Sequence, residues 1–226
     1  RLFMLGCELF TTYTIYAMAS RFTDRLPSAF AALAYLTAGY VFQHGFSYRA
    51  DPMAAAFLMA ALWLLLASDL KTKPMLGAAA LTGLAVLTTI KILFYAPAFA
   101  GIAWLRWQGA GFSREMLLRL AGFAGATALF ALLFVGITML SLPEAGPESV
   151  DRTLSSSAST VFHEGLFPRW PVLLWGMATA PILTLMVLLT PLEMVRAGLK
   201  RPEWIALTGL ILPLASIILY RNSFPY

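Results

Sequence analysis

The chain has 226 residues, of which 60% are hydrophobic and only 12% are charged, and its mean hydropathy is +0.77. A soluble domain carries about twice that charged fraction, so the composition excludes a water-soluble globule of this size. The net charge of +5 does not indicate nucleic-acid binding, because the basic residues form short clusters between apolar runs. The single cysteine, Cys7, excludes an internal disulfide and a cysteine-based metal site.

Seven apolar runs predict an all-α bundle of about seven transmembrane helices, in one membrane domain over residues 1–226. The runs cover residues 2–20, 27–44, 52–68, 74–107, 117–142, 170–192 and 204–220. The fourth run is too long for one straight crossing, and the polar residues 88–91 and then Pro97 interrupt it. We therefore expect two short helices that meet near Lys91. Residues 113–119 predict a short amphipathic helix on the membrane surface.

The distribution of Lys and Arg predicts the orientation. Most of the sixteen basic residues fall in alternate connections, at residues 21–25, 71–73, 106–119 and 196–201, which should therefore be cytoplasmic. The long polar loop 143–169, Arg1 and Tyr226 then face outside, which in a bacterial inner membrane is the periplasm. A single unbroken fourth helix would flip every later connection and weaken this asymmetry. Because the chain starts inside an apolar run, without an initiator Met, and stops just after another, we expect a fragment of a longer membrane protein.

The external connection HGFSYRADP, residues 44–52, is the first candidate site. Asp51 before Pro52 is a strong helix-start signal, with Asp as the N-cap and Pro at the first helical position. The alternative is that Arg49 and Asp51 line an external cleft in which Arg49 binds phosphate.

Lys91 is the second candidate, because it stands alone between Ile90 and Ile92. Its ammonium group either extends to the membrane surface along its own aliphatic stem or meets an anion. A lipid-linked phosphate in the outer leaflet is one such anion.

The remaining candidates lie in the long loop, at the end of the chain and in the first helix. His163 has no second histidine at helical spacing, so it predicts a structural or substrate contact rather than a metal ligand. Arg221 either anchors the last helix or faces the same phosphate as Lys91. Glu8, inside the first apolar run, pairs with one of these cations or caps a polar cavity. No phosphate-binding glycine loop, nucleotide fold or nucleophile elbow is present, which favours a substrate with a lipid tail and an anionic head.

Three segments resemble those of polytopic GT-C glycosyltransferases, most of all protein O-mannosyltransferases and the bacterial aminoarabinose transferases that act on lipid A. They are SYRADP at 47–52 before an Ala/Leu-rich helix, TTIK at 88–91 in the break of the short helix pair, and YRNSFPY at 220–226. The resemblance covers most of the chain through short motifs. It implies transfer of a hexosyl or pentosyl group from a polyprenyl-phosphate donor to a glycan, lipid or protein acceptor on the external face.

The same resemblance implies roles for individual residues. Phosphate recognition carries over onto Arg49, Lys91 and Arg221, and contacts near the donor carry over onto His163 and Tyr226. The family's base is an acidic residue in the external loop before the first helix, so we expect it upstream of Arg1 and assign no catalytic residue here, not even Asp51. Some members use a divalent metal and others do not, and this sequence has no metal cluster that decides between them.

Two other functions are consistent with the sequence. A transporter or lipid flippase module would also have charges in the membrane and broken helices, but it should show paired repeats with a break in each half. Only one break is evident here. A non-catalytic membrane subunit would tolerate neutralisation of Lys91 or Arg221.

Overall fold

The computed structural model describes residues 1–39, 41, 45, 50–68, 70–110, 113–141, 152, 155 and 169–197. Within these residues the chain is helical and contains no strand, as the apolar runs predict. The helices are α1 (Leu2–Ala19), α2 (Arg25–Leu36), α3 (Ala50–Ala67), α4 (Thr72–Thr88), a 3₁₀ helix (Ile90–Tyr95), α5 (Ala96–Ala110), α6 (Arg114–Ser141), α7 (Arg169–Thr179) and α8 (Pro181–Ala197). The seventh apolar run and most of the loop 143–169 lie outside the described residues.

Arginine side chains tie helix ends together on one side of the bundle. Arg21, just after α1, donates from Nη1 and Nη2 to the carbonyl oxygens of Leu66 and Ala67, at 3.0 and 3.4 Å. Arg119 in the first turns of α6 donates from Nη1 to the carbonyl oxygen of Leu70, at 3.3 Å. The ends of α1 and α3 and the start of α6 therefore share one side. We call it the basic end, and it is defined by Arg21, Arg25, Lys71, Lys73 and Arg119.

The opposite side carries two acidic residues, one in α1 and one in α3. Because α1 and α3 pack against each other and both end at the turns of the basic end, the start of each lies on the other side. The end of α2 and the break after α4 lie there too. We call this the glutamate end, and it is defined by Glu8, Tyr35, Asp51 and Lys91.

Small side chains allow the central helices to pack closely. Helix α3 contacts α1 on one side and α4 on the other, and Ala54, Ala61 and Ala78 of this core are essentially inaccessible. Alanine and glycine at helix contacts let the backbones approach, which is the usual way in which helices associate in lipid. Gly83 of α4 shows this against α6, where an added Cβ would lie 3.2 Å from the backbone nitrogen of Ala131.

Three of the described helices are long and apolar enough to cross a membrane, by length and composition: Leu2–Ala19, Ala50–Ala67 and Arg114–Ser141. This is compatible with an integral membrane protein. Helices α4 and α5 have 17 and 15 residues. The described residues thus contain fewer full-length spans than the expected seven or so.

Several boundaries differ from those expected from the sequence. Helix α2 ends at Leu36 rather than continuing to residue 44, and Gly39 beyond it lies so close to α7 that an added Cβ would be 2.8 Å from the Thr179 carbonyl oxygen. The run 170–192 is two helices, because Pro181 follows Ala180 and disfavours a helical conformation there. Residues 114–119 form no separate surface helix but begin the 28-residue α6.

Candidate functional site

The helix break near Lys91 is present, and it has a clear local cause. Helix α4 ends at Thr88, and Thr89 is extended, with φ −156° and ψ 130°. The chain then turns through the 3₁₀ helix, whose first bond runs from the Ile92 nitrogen to the Thr89 carbonyl oxygen at 3.2 Å. Pro97 follows in the first turn of α5, where a missing N–H costs nothing. The predicted pair of short helices is therefore confirmed, and Lys91 lies on the 3₁₀ turn between them.

The break brings Lys91 to the start of α3. Its Nζ lies 3.7 Å from Oδ1 of Asp51, and about a third of each side chain is exposed, 32% for Lys91 and 35% for Asp51. The distance exceeds that of a hydrogen bond, so the two groups attract each other as charges without a direct bond. A partly exposed pair of this kind contributes about 0–1 kcal/mol to stability.

Asp51 occupies the first turn of α3 rather than the expected N-cap, because the helix starts at Ala50. A carboxylate in the first turn of a helix interacts favourably with the partial positive charge of the helix N-terminus. Asp51 thus both favours the start of α3 and faces Lys91. The structural and the functional interpretations of Asp51 from the sequence are compatible with each other.

Glu8 is the second feature of the glutamate end. It lies six residues, or roughly 9 Å, along α1 from Leu2, and only 3% of its surface is exposed. The Tyr35 hydroxyl of α2 donates to Oε2 of Glu8 at 2.7 Å. Gly45 covers the other carboxylate oxygen, since a Cβ added there would lie 2.8 Å from Oε1. The carboxylate of Glu8 is thus enclosed by α2 and by the chain that follows it.

Two polar pairs therefore lie at the glutamate end, Glu8 with Tyr35 and Asp51 with Lys91. Tyr95 ends the 3₁₀ helix that carries Lys91. The buried face of α1 extends this polar character, because Thr11 and Thr14 are buried along with Glu8.

The structure describes only two of the six predicted site residues, Asp51 and Lys91. The structure brings Asp51 and Lys91 together, 40 positions apart in the sequence. Four predicted residues lie outside the described part of the chain: Arg49, His163, Arg221 and Tyr226. Tyr35 and Tyr95 were not predicted from the sequence. Glu8 was noted there, but the partner that the structure gives it is the Tyr35 hydroxyl rather than a described cation.

The described residues do not build a metal centre. Among them, no group of three or more His, Cys, Asp or Glu side chains lies together. What the arrangement does offer is a partly exposed ammonium group beside a carboxylate, at a helix break.

The fold and the site together define a helical bundle compatible with an integral membrane protein, with a polar region at one end. Comparisons of the chain with protein-family models, with curated proteins and with solved structures find no match.

Proposed function

We propose that the chain is the membrane part of a GT-C-type glycosyltransferase, which moves a sugar from a polyprenyl-phosphate donor to an acceptor on the external face. One observation carries the proposal. Lys91 lies on a helix break at the glutamate end, 3.7 Å from Asp51 and opposite the exposed cations of the basic end. An ammonium group at this end of the bundle can bind the phosphate of a lipid-linked sugar, which enters from the membrane rather than from water.

The orientation follows from the positive-inside rule. The basic end, with Arg21, Arg25, Lys71, Lys73 and Arg119, faces the cytoplasm, and the glutamate end faces the periplasm of a bacterial inner membrane. The short helices α4 and α5 each cross most of the bilayer in this arrangement, with the 3₁₀ helix at the external surface. They bring the number of spans closer to the seven or so that the apolar runs predict.

The proposed reaction is a displacement at the anomeric carbon of the sugar. An acceptor hydroxyl oxygen forms a bond to that carbon, the bond between the carbon and the phosphate oxygen breaks, and polyprenyl phosphate leaves. A carboxylate takes the hydroxyl proton, and the family resemblance implies one in an external loop before α1. Lys91 stabilises the negative charge that develops on the leaving phosphate. Asp51 holds the ammonium group of Lys91 in place.

Glu8 has a positioning role in this proposal. A base must reach the acceptor, but the carboxylate of Glu8 is enclosed by Tyr35 and Gly45. Its contacts instead fix the end of α2 and the chain that leads towards Asp51. Arg49 and Arg221 are proposed as further phosphate ligands, and His163 and Tyr226 as donor contacts. All four lie outside the described residues.

Binding of polyprenyl monophosphate, the proposed leaving group, tests the phosphate site directly. The purified chain in nanodiscs should bind polyprenyl phosphate more tightly than the corresponding polyprenol, which lacks the anion. Hydrogen bonds to charged groups contribute about 1.5–3 kcal/mol, so Lys91→Gln should weaken the binding by about 10- to 150-fold. Arg25→Gln removes an exposed cation at the other end and should leave the affinity unchanged. Equal binding of alcohol and phosphate, or no effect of Lys91→Gln, would refute the proposal.

A transporter or flippase module is the second candidate, and the buried Glu8 favours it. Ionisable groups buried in membrane helices often lie on the path of a transported ion or substrate. The two functions differ in whether the bond between the sugar and the polyprenyl phosphate is broken. A transferase converts the polyprenyl-phosphate sugar to polyprenyl phosphate, whereas a flippase moves it across the bilayer intact. Vesicles that carry labelled donor, an acceptor and the protein with the external loop that the resemblance implies before α1 distinguish them, because only the transferase releases unglycosylated polyprenyl phosphate.

A further inference from the structure

The basic end contains an open groove where the turn between α3 and α4 meets α6. The groove has a volume of about 390 Å³ and is lined by Lys71, Thr72, Lys73, Pro74 and Arg119. Three of its five residues are cationic, and they come from two helices that are far apart in the sequence. The groove lies at the opposite end from Lys91 and is independent of the function proposed above.

A strained turn presents the two lysines of this groove. Leu70 has a positive φ of 60°, which is unusual for a residue with a bulky side chain, and it is almost completely buried. Its side chain anchors the turn in the core, and its carbonyl oxygen accepts the bond from Arg119 at 3.3 Å. The Arg119 guanidinium is thereby fixed beside the start of α4, where Lys71 and Lys73 follow immediately.

The electrostatic balance of the groove is positive. Glu115 pairs with Arg119 one helical turn away, which offsets one of the three charges. The N-terminus of α4 has no side-chain hydrogen bond at its N-cap, Lys71, and it adds its own partial positive charge. Asp69, which precedes Leu70 in the sequence, lies outside the described residues.

Exposed leucines lie close to the groove residues in the sequence. Leu76 lies three positions after Lys73 on α4, and Leu117 and Leu118 precede Arg119 on α6. The most apolar stretch of α6 has no buried residue, so apolar side chains of this helix remain accessible along its length. A small soluble anion would make no use of these leucines. A phospholipid would use both parts, because its phosphate would meet the cations and its acyl chains would follow the leucines.

We propose that this groove binds the headgroup of an anionic phospholipid, with the phosphate between Lys71, Lys73 and Arg119 and the acyl chains along the apolar faces of α4 and α6. Basic pockets at the cytoplasmic side of membrane helices commonly hold anionic lipid headgroups. The positive charge of the groove has a defined position, because the Arg119 guanidinium is hydrogen bonded to the Leu70 carbonyl group.

Lipid titration tests the proposal. The purified chain in phosphatidylcholine nanodiscs is supplied with increasing phosphatidylglycerol, and bound lipid is counted by native mass spectrometry after release. Phosphatidylglycerol should be retained over phosphatidylcholine. A hydrogen bond from a charged group to the lipid phosphate contributes about tenfold or more to the affinity, so the double variant Lys71→Gln/Lys73→Gln should bind about 100-fold more weakly. Both lysines are exposed, and circular dichroism verifies that the helical content of the variant is unchanged.

Two controls separate a lipid site from general surface charge and from a site for free anions. Arg25→Gln removes an exposed cation of the same end outside the groove and should leave phosphatidylglycerol binding unchanged. Inorganic phosphate and glycerol phosphate should not displace the lipid at millimolar concentration. An equal loss in Arg25→Gln, displacement by inorganic phosphate, or equal retention of the two lipids would overturn the proposal. The single variant Lys73→Gln, with a loss of about tenfold or more, provides the same test if the double variant does not fold.

Discussion

At the basic end, Arg21 and Arg119 donate to backbone carbonyl groups at helix ends, whereas at the glutamate end the charged groups face other side chains. The cations of the basic end lie at the surface and are numerous. Those described at the glutamate end are few, and its carboxylate at Glu8 is nearly inaccessible. Both ends belong to the same helices, so the fold alone does not explain why the charged groups of the two ends differ in partners and exposure.

The comparison separates two reasons for a charge in a membrane protein. Charges that set orientation and satisfy helix ends remain in contact with water, where they cost little and contribute little each. A buried carboxylate costs several kcal/mol unless it is hydrogen bonded, so its persistence requires compensation by hydrogen-bond donors or by function. Tyr35 is the hydrogen-bond donor to Glu8, and the proposed donor-lipid site nearby is the function. Substitutions at the glutamate end should therefore change activity or cause large losses of stability, whereas those at the basic end should change stability only slightly.

The largest difference is expected in activity, at Lys91. Removal of a group that stabilises developing charge typically lowers turnover by about 100- to 1000-fold. When the protein is assayed with an acceptor and with the external loop that the resemblance implies before α1, Lys91→Gln should lower the release of polyprenyl phosphate from a labelled polyprenyl-phosphate sugar to that extent. Lys91→Arg should retain part of the activity. The ion pair with Asp51 should account for less than about 1 kcal/mol of any change in the free energy of unfolding, because it is partly exposed. Full activity in Lys91→Gln would remove the functional distinction between the two ends.

The next largest effect is expected on stability, at Gly45. A Cβ there would lie 2.6 Å from the Val41 carbonyl oxygen and 2.8 Å from Oε1 of Glu8. Because one contact is with backbone, Gly45→Ala should cost about 1–3 kcal/mol. Gly122→Ala in α6 is the matched control, since an added Cβ meets nothing within 4 Å there. It should be neutral or stabilising by up to about 1 kcal/mol. Unfolding in detergent micelles, followed by tryptophan fluorescence, measures both. Equal stability of the two variants would show that Glu8 is not enclosed.

Loss of the Tyr35 hydroxyl should destabilise the protein by a similar amount. Tyr35→Phe leaves the buried carboxylate of Glu8 without this donor, which should destabilise the protein by about 1–3 kcal/mol. Tyr13→Phe removes a hydroxyl from an exposed tyrosine of α1 and should change little. A double variant that adds Glu8→Leu should lose less than the sum of the two single losses, because both act on one contact. Strict additivity would mean that the two side chains do not depend on each other.

The helices themselves could largely be predicted from the sequence. The first apolar run, 2–20, matches α1 (Leu2–Ala19) to within a residue, and the break at 88–91 is where the structure has it. These features depend on local composition and on the chemistry of threonine and proline, which are visible in any single sequence. The second break, before Pro181, rests on the same chemistry and could also have been predicted from it.

The contacts between helices could not be predicted in the same way. Whether Tyr35 meets Glu8 depends on how α1 and α2 are rotated about their axes, and apolar residues on every side of a membrane helix leave that rotation undetermined. The proximity of Asp51 and Lys91 was expected only as two residues on one side of the membrane. Their distance of 3.7 Å depends on the tight 3₁₀ turn that follows Thr89.

The smallest effect is expected at the basic end, and it tests whether the distinction between the ends is real. Arg21→Gln loses the bonds to the Leu66 and Ala67 carbonyl groups, but water reaches these exposed groups and replaces the guanidinium. A bond that water replaces contributes little, so the cost should be about 0.5 kcal/mol. Arg25→Gln, an exposed neighbour, should cost even less. The same unfolding measurement applies to both. If Arg21→Gln destabilised the protein as much as Tyr35→Phe, then access to water would not explain how the two ends hold their charges, and a buried carboxylate at Glu8 would no longer indicate a functional site.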